Sequence, residues 1–149
     1  MERVAGKAGA VRGGLYTLRE KETSIMEENM KHGAFSWSEL ITTDPKAALE
    51  FYTKLFGWNN EVMHMPGMDY TVVKVGERAV GGIMAAPPGV PAGWKTYVTV
   101  DDIDETARLA ESLGGKICMP PTDIPDVGRF AIMIDPQGGV IAAITYLKR

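Results

Sequence analysis

The chain has 149 residues, 45% of them hydrophobic and 23% charged, and 16 basic against 19 acidic side chains leave a net charge of −3. Those proportions suit one ordinary globular domain, and no Lys/Arg run marks a nucleic-acid surface. The longest apolar run is well short of the roughly 18–20 residues that span a bilayer, and no basic start precedes an apolar leader segment, so neither a membrane nor secretion is expected.

Residues 1–32 show no sustained helical or strand period and are expected to be a disordered or mis-annotated extension. Lys21-Glu22 can be encoded by AAGGAG, a ribosome-binding sequence, which makes Met26 or Met30 an alternative start to Met1. His32 then falls in a loose end. The domain itself is placed at 33–149, as a module at 33–86, a linker at 87–93 and a module at 94–147.

The first module opens with Phe35–Thr42, where Phe35, Trp37, Glu39 and Ile41 alternate onto one side of a strand. Asp44 and Pro45 then predict a capped helix to Phe56, with Ala48, Phe51, Tyr52, Leu55 and Phe56 as its inward stripe and Gly57 as its stop. Three strands follow near Glu61–Met65, Tyr70–Val75 and Ala79–Ala85, separated by turns at Pro66-Gly67 and Gly76-Glu77. The linker holds three prolines and two glycines. In the second module a strand at Lys95–Val100 leads to a helix capped by Asp101-Asp102, with Ile103, Ala107, Ala110 and Leu113 inward and Gly114-Gly115 at its end. Lys116–Met119 reads as a short strand, and its Cys118 as a half-buried thiol rather than a nucleophile, since no histidine is near it in sequence. Pro120–Pro125 reads as a rigid loop, and Val127–Ile134 and Val140–Tyr146 as strands.

The two modules share residues at one spacing. Gly81-Gly82-Ile83-Met84-Ala85-Ala86 returns 57 positions later as Gly138-Gly139-Val140-Ile141-Ala142-Ala143, and the same offset pairs Trp37 with Trp94, Thr42 with Thr99 and Asp44 with Asp101. A constant offset implies two copies of one supersecondary unit. The expected fold is α+β: two tandem βαβββ modules whose curved mixed sheets form a cup, with the helices outside.

Particular stretches carry a resemblance to a known family. These are Thr42-Thr43-Asp44-Pro45 with Phe51-Tyr52 and Leu55-Phe56-Gly57-Trp58, then Val100-Asp101-Asp102 with Leu113-Gly114-Gly115, then Asp135-Pro136-Gln137-Gly138. Together with Pro120–Pro125 and Val127-Gly128-Arg129-Phe130 they resemble the vicinal-oxygen-chelate superfamily of glyoxalase I, bleomycin- and fosfomycin-resistance proteins and extradiol dioxygenases. The likeness is to a glyoxalase-like branch that often occurs as tandem double-length chains. It implies a homodimer, and a divalent metal held by one His, Glu or Tyr on the first and last strand of each module. Here the first-strand positions fall at Trp37 and about Lys95, and the last-strand positions at Ala142 and within Gly81–Ala86. Tryptophan offers only an N–H donor, and neither glycine-alanine segment offers a carboxylate or an imidazole. The expectation is therefore no metal and no other cofactor, with a divalent metal as the alternative. His64, between two methionines, reads as a strand residue rather than a ligand.

What remains is a cup for a small hydrophobic or aromatic molecule. Trp37, Tyr70, Trp94 and Tyr97 are its candidate lining, and Glu39 and Arg129 its candidate charged contacts. Arg129 could equally pair with Asp126 or Glu39, and Asp123 could line the mouth or sit in a plain turn. The paired glycine-alanine strands leave either close packing or room for a flat ligand. The functional reading is a cytoplasmic glyoxalase-like binding protein. A metal-dependent lyase, isomerase or dioxygenase and a non-catalytic assembly module remain alternatives, with Glu39 the one candidate base. Whether the protein is an enzyme stays open.

Overall fold

The computed structural model describes residues 27–148. The earlier part of the extension, including Met26, lies outside the described residues. Strand β1 (Phe35–Thr42), helix α1 (Pro45–Phe56) and strands β2 (Asn59–Met65), β3 (Met68–Val75) and β4 (Arg78–Ala85) form the first module. Strand β5 (Gly93–Thr99), helix α2 (Ile103–Ser112) and strands β6 (Lys116–Ile124), β7 (Gly128–Ile134) and β8 (Val140–Tyr146) form the second. All eight strands join one open mixed sheet in the order β2-β3-β4-β1-β5-β8-β7-β6. Pairs β1/β4 and β5/β8 are parallel, and β1 meets β5 antiparallel at the centre. Register breaks in β1/β5, β3/β4 and β6/β7 bend the sheet as bulges do.

Both helices cover one face. Asp44 accepts from the Ala47 N–H and Asp102 from the Glu105 N–H, so each helix begins on a satisfied cap. Gly57, at φ 70°, supplies the left-handed stop of α1. Under α1, Ala48, Leu49 and Tyr52 pack on Leu40, Val73 and Ile83. Under α2, Ile103 packs on Val100, Ala131 and Ala143. The predicted stripes were too wide: Phe51, Leu55 and Phe56 on α1 and Leu113 after α2 are exposed, because each helix seats only a narrow strip on the sheet. The opposite face carries its own cluster, in which Trp37, Phe130 and Tyr146 pack around Tyr97, Ala142 and Ile144, on the side away from α1 and α2. That face is the cup.

Three further expectations change. Pro120–Ile124 is not a loop but the end of edge strand β6, where a proline costs no ladder bond and the register slips past it. Cys118 on that strand is exposed rather than half-buried. The chain before residue 33 is not a loose end throughout. The Thr99 hydroxyl donates to the Asn29 carbonyl, the Asp101 N–H donates to His32 Nδ1, and Gly33 and Ala34 exchange backbone bonds with Thr99.

The 57-residue identity is also not a structural equivalence. Gly81 and Gly82 lie buried inside β4, whereas Gly138 and Gly139 form the turn before β8, where Asp135 accepts from the Gln137 and Gly139 N–H groups. The helix caps instead set an offset of 58, Asp44 against Asp102. On that spacing Trp37 is the counterpart of Lys95, and Glu39 of Tyr97.

Candidate ligand-binding site

Cross-strand register decides which side chains share the cup. In the central β1/β5 pair Trp37 lies opposite Tyr97 and Glu39 opposite Lys95, while Leu40 lies opposite Trp94. Leu40 packs under α1, so Trp94 faces the helices and the other four face the cup. On the far side of β1, Glu39 lies beside Gly82 of β4. From β3, Tyr70 reaches across that glycine. A Cβ at position 82 would overlap the Tyr70 ring and hydroxyl, so the glycine makes room for the protein's own phenol rather than for a ligand.

The result is a connected polar network within an apolar surface. Glu39, 6% exposed, accepts from the Tyr70 hydroxyl at 2.7 Å on Oε2 and from the Tyr97 hydroxyl at 3.0 Å on Oε1. Its Oε1 also lies 3.3 Å from the Lys95 ammonium, whose side chain is 9% exposed. The Trp37 indole N–H donates to the Tyr70 hydroxyl at 2.8 Å. At the rim Ser36 and Tyr146 share a hydroxyl–hydroxyl bond of 2.8 Å. Burial, and then the Glu39 charge, push the Tyr70 and Tyr97 phenols far above the usual tyrosine range, and burial raises Tyr146 as well. All three therefore remain hydroxyl donors at any physiological pH.

Four of the six residues predicted for the site thus converge: Trp37, Glu39, Tyr70 and Tyr97. Two do not. Trp94 sits on the helix face, donating to the Tyr52 hydroxyl at 3.0 Å and meeting Tyr52 and Trp58 edge-on. Those rings help wall a groove of about 460 Å³ beside α1. Arg129 also faces the helices, with Nε and Nη2 held by both Asp104 oxygens at 2.9 and 3.0 Å and Nη1 by Asp123 at 3.1 Å. It ties α2 to β7 and β6, and its partners are neither Asp126 nor Glu39. Those carboxylates raise its pKa, and the Asp104 carboxyl is lowered in return. His64 pairs with Asp69 on the exposed β2/β3 hairpin, away from the cup.

Lys95 is the residue that sequence reasoning left out of the site. The signal was its alternation with Tyr97 on the same strand, two residues away. At the positions where the resemblance leads one to expect metal ligands, Trp37, about Lys95, Ala142 and the Gly81–Ala86 segment, this chain offers no imidazole and no carboxylate. Among the described residues no three of His, Cys, Asp and Glu gather closely enough to hold a metal ion. One carboxylate already engaged by an ammonium and two phenols does not fit a divalent cation.

Comparison with known proteins agrees with this architecture. The glyoxylase-named CFP32 of Mycobacterium bovis is 44% identical over 114 residues, covering 75% of this chain and 44% of its own length. Anthracycline biosynthesis protein DnrV of Streptomyces peucetius is 32% identical over 126 residues, covering 74% of this chain and 46% of its own. The chain thus spans less than half the length of these relatives. Hypothetical protein BH1468 from Bacillus halodurans shares the fold at TM-score 0.62 and 14% identity, over 80% of this chain and 98% of that one. Methylmalonyl-CoA epimerase from Mycobacterium tuberculosis shares it at TM-score 0.57 and 16% identity, over 78% and 89%. A family profile matches residues 30–142, so the chain belongs to the Glyoxalase/Bleomycin resistance protein/Dioxygenase superfamily.

Proposed function

We propose that this chain binds a small hydrophobic or aromatic molecule on the cup face of its sheet, without a divalent metal. The observation that supports this reading is the state of Glu39. Its two oxygens already meet two hydroxyl donors and an ammonium. Such a carboxylate is a structural anchor for the surrounding rings, and most of its acceptor capacity is already taken up by the protein's own donors. The neighbouring half-buried Trp37 and Phe130 rings supply apolar area for a flat molecule. The names of the relatives do not converge on one chemistry, glyoxylase for one and anthracycline biosynthesis for another. The fold itself hosts many activities.

A cytoplasmic setting and a homodimer belong to the same proposal. Cys118 is an exposed free thiol, as suits a reducing compartment. No helix among the described residues is long and apolar enough to cross a membrane. Phe51, Leu55 and Phe56 give α1 an apolar outer surface available to a partner.

A thermal-shift screen of aromatic compounds on purified protein, joined to elemental analysis, tests the reading. Stabilisation by aromatic compounds with substoichiometric metal is expected. Stoichiometric Ni, Zn, Fe or Mn that is lost in Glu39→Ala would establish the metal-dependent alternative instead.

A further inference from the structure

The donors and acceptors of the cup do not balance, and the excess specifies what a ligand must offer. Trp37 spends its one N–H on Tyr70, and Tyr70 and Tyr97 spend their hydroxyl protons on Glu39. Lys95 differs. Its ammonium carries three N–H donors, and among the described residues its ion-pair partner is Glu39 alone, at 3.3 Å. The remaining donors have no acceptor among the described residues.

We propose that Lys95 Nζ receives the carbonyl oxygen of an uncharged, planar ligand seated in the cup. The inference rests on the cup being the binding site. Three features define the ligand class. The Lys95 and Glu39 charges cancel, so a ligand carboxylate would lose its hydration while lying close to Glu39, without a net positive field to compensate it. Glu39 already receives two hydroxyl protons and faces the ammonium, whereas Lys95 has donors to spare, so the network favours a ligand that accepts, as a carbonyl does. The half-buried Phe130 ring, 6.2 Å from the buried Tyr97 ring between centroids, leaves apolar ring surface on the same face as the ammonium and favours a flat aromatic body. Lys95 also lies 5.4 Å from the Tyr97 centroid, which restrains the ammonium next to that ring.

Three probes on one ring system test this: 2-acetylnaphthalene, 2-ethylnaphthalene and 2-naphthoate, titrated by calorimetry, with the Trp37 indole resonance followed to place them. The ketone should bind about tenfold more tightly than the alkyl compound, the worth of one hydrogen bond to a charged donor. It should also bind more tightly than the carboxylate. Lys95→Arg should keep the ketone preference. Lys95→Met should abolish the advantage of the ketone over the alkyl compound. Because Lys95→Met strands the Glu39 charge, the double variant Lys95→Met with Glu39→Gln repeats the comparison in a charge-free cup. Equal binding of ketone and alkyl probes to the native protein, with the Trp37 resonance shifting, would overturn the Lys95 inference and leave the cup reading standing. Tightest binding of the carboxylate would overturn the uncharged ligand. Failure of all three probes to bind or to move Trp37 would overturn the cup reading and this inference with it.

Discussion

Glu39 carries more of the cup than any other side chain, and its replacement separates charge from shape. In Glu39→Ala the Lys95 ammonium loses its ion-pair partner and two phenols lose their acceptor at once. A loss of about 3–5 kcal/mol is expected, the usual consequence of stranding a buried charge, measured by denaturant unfolding. Gly82 tests the packing side of the same spot. Gly82→Ala drives a methyl into the Tyr70 ring and should cost about 1–3 kcal/mol. Adding Tyr70→Ala should relieve the collision, so that Gly82→Ala becomes nearly neutral in that background. Additive losses in the double-mutant cycle would show that Tyr70 does not lie over position 82.

At the level of elements, periodicity made the strands and helices legible, because alternation and capping are local. Both helix N-termini were readable from Asp44-Pro45 and Asp101-Asp102. Face assignment was harder. The identical residues suggested an offset of 57, while the caps that organise the modules stand 58 apart. In a strand a slip of one residue turns every side chain over. That single residue placed Trp94 beside Trp37 in the sequence reading, although in the sheet it lies on the helix face at 44% exposure. Arg129 was misplaced for a related reason: its parity on β7 points it to α2, and its partner Asp104 is distant in sequence. Docking of the segment before β1 was not legible at all, since it depends on Thr99, 70 residues from Asn29. Shortening the chain to begin at residue 31 rather than at residue 27 removes the acceptor of that buried hydroxyl and should cost about 1–3 kcal/mol, read by denaturant unfolding of the two shortened chains.

For the whole molecule, the tyrosines set the alkaline limit of stability. The Tyr70 and Tyr97 pKa values are raised in the folded state, so the protein holds protons that the unfolded chain releases near its ordinary pKa of about 10. Their contribution is fully present below that pH and is lost as pH rises beyond it. Unfolding free energy should therefore decline above about pH 10. Tyr70→Phe and Tyr97→Phe should each flatten that decline, although each begins from a lower plateau. An absorbance titration of phenolate should find Tyr70, Tyr97 and Tyr146 ionising later than a free tyrosine.

The phenol lying over Gly82 also restricts which mutational routes are open to this chain. A carboxylate could enter the last strand of the first module by one substitution, Gly82→Glu, yet that side chain would emerge directly into Tyr70. Losing Tyr70 first deprives Glu39 of a donor and the Trp37 indole of its acceptor. Either first step is penalised unless the other accompanies it. A second carboxylate on this part of the cup face is thus reached only through single substitutions that each carry a loss.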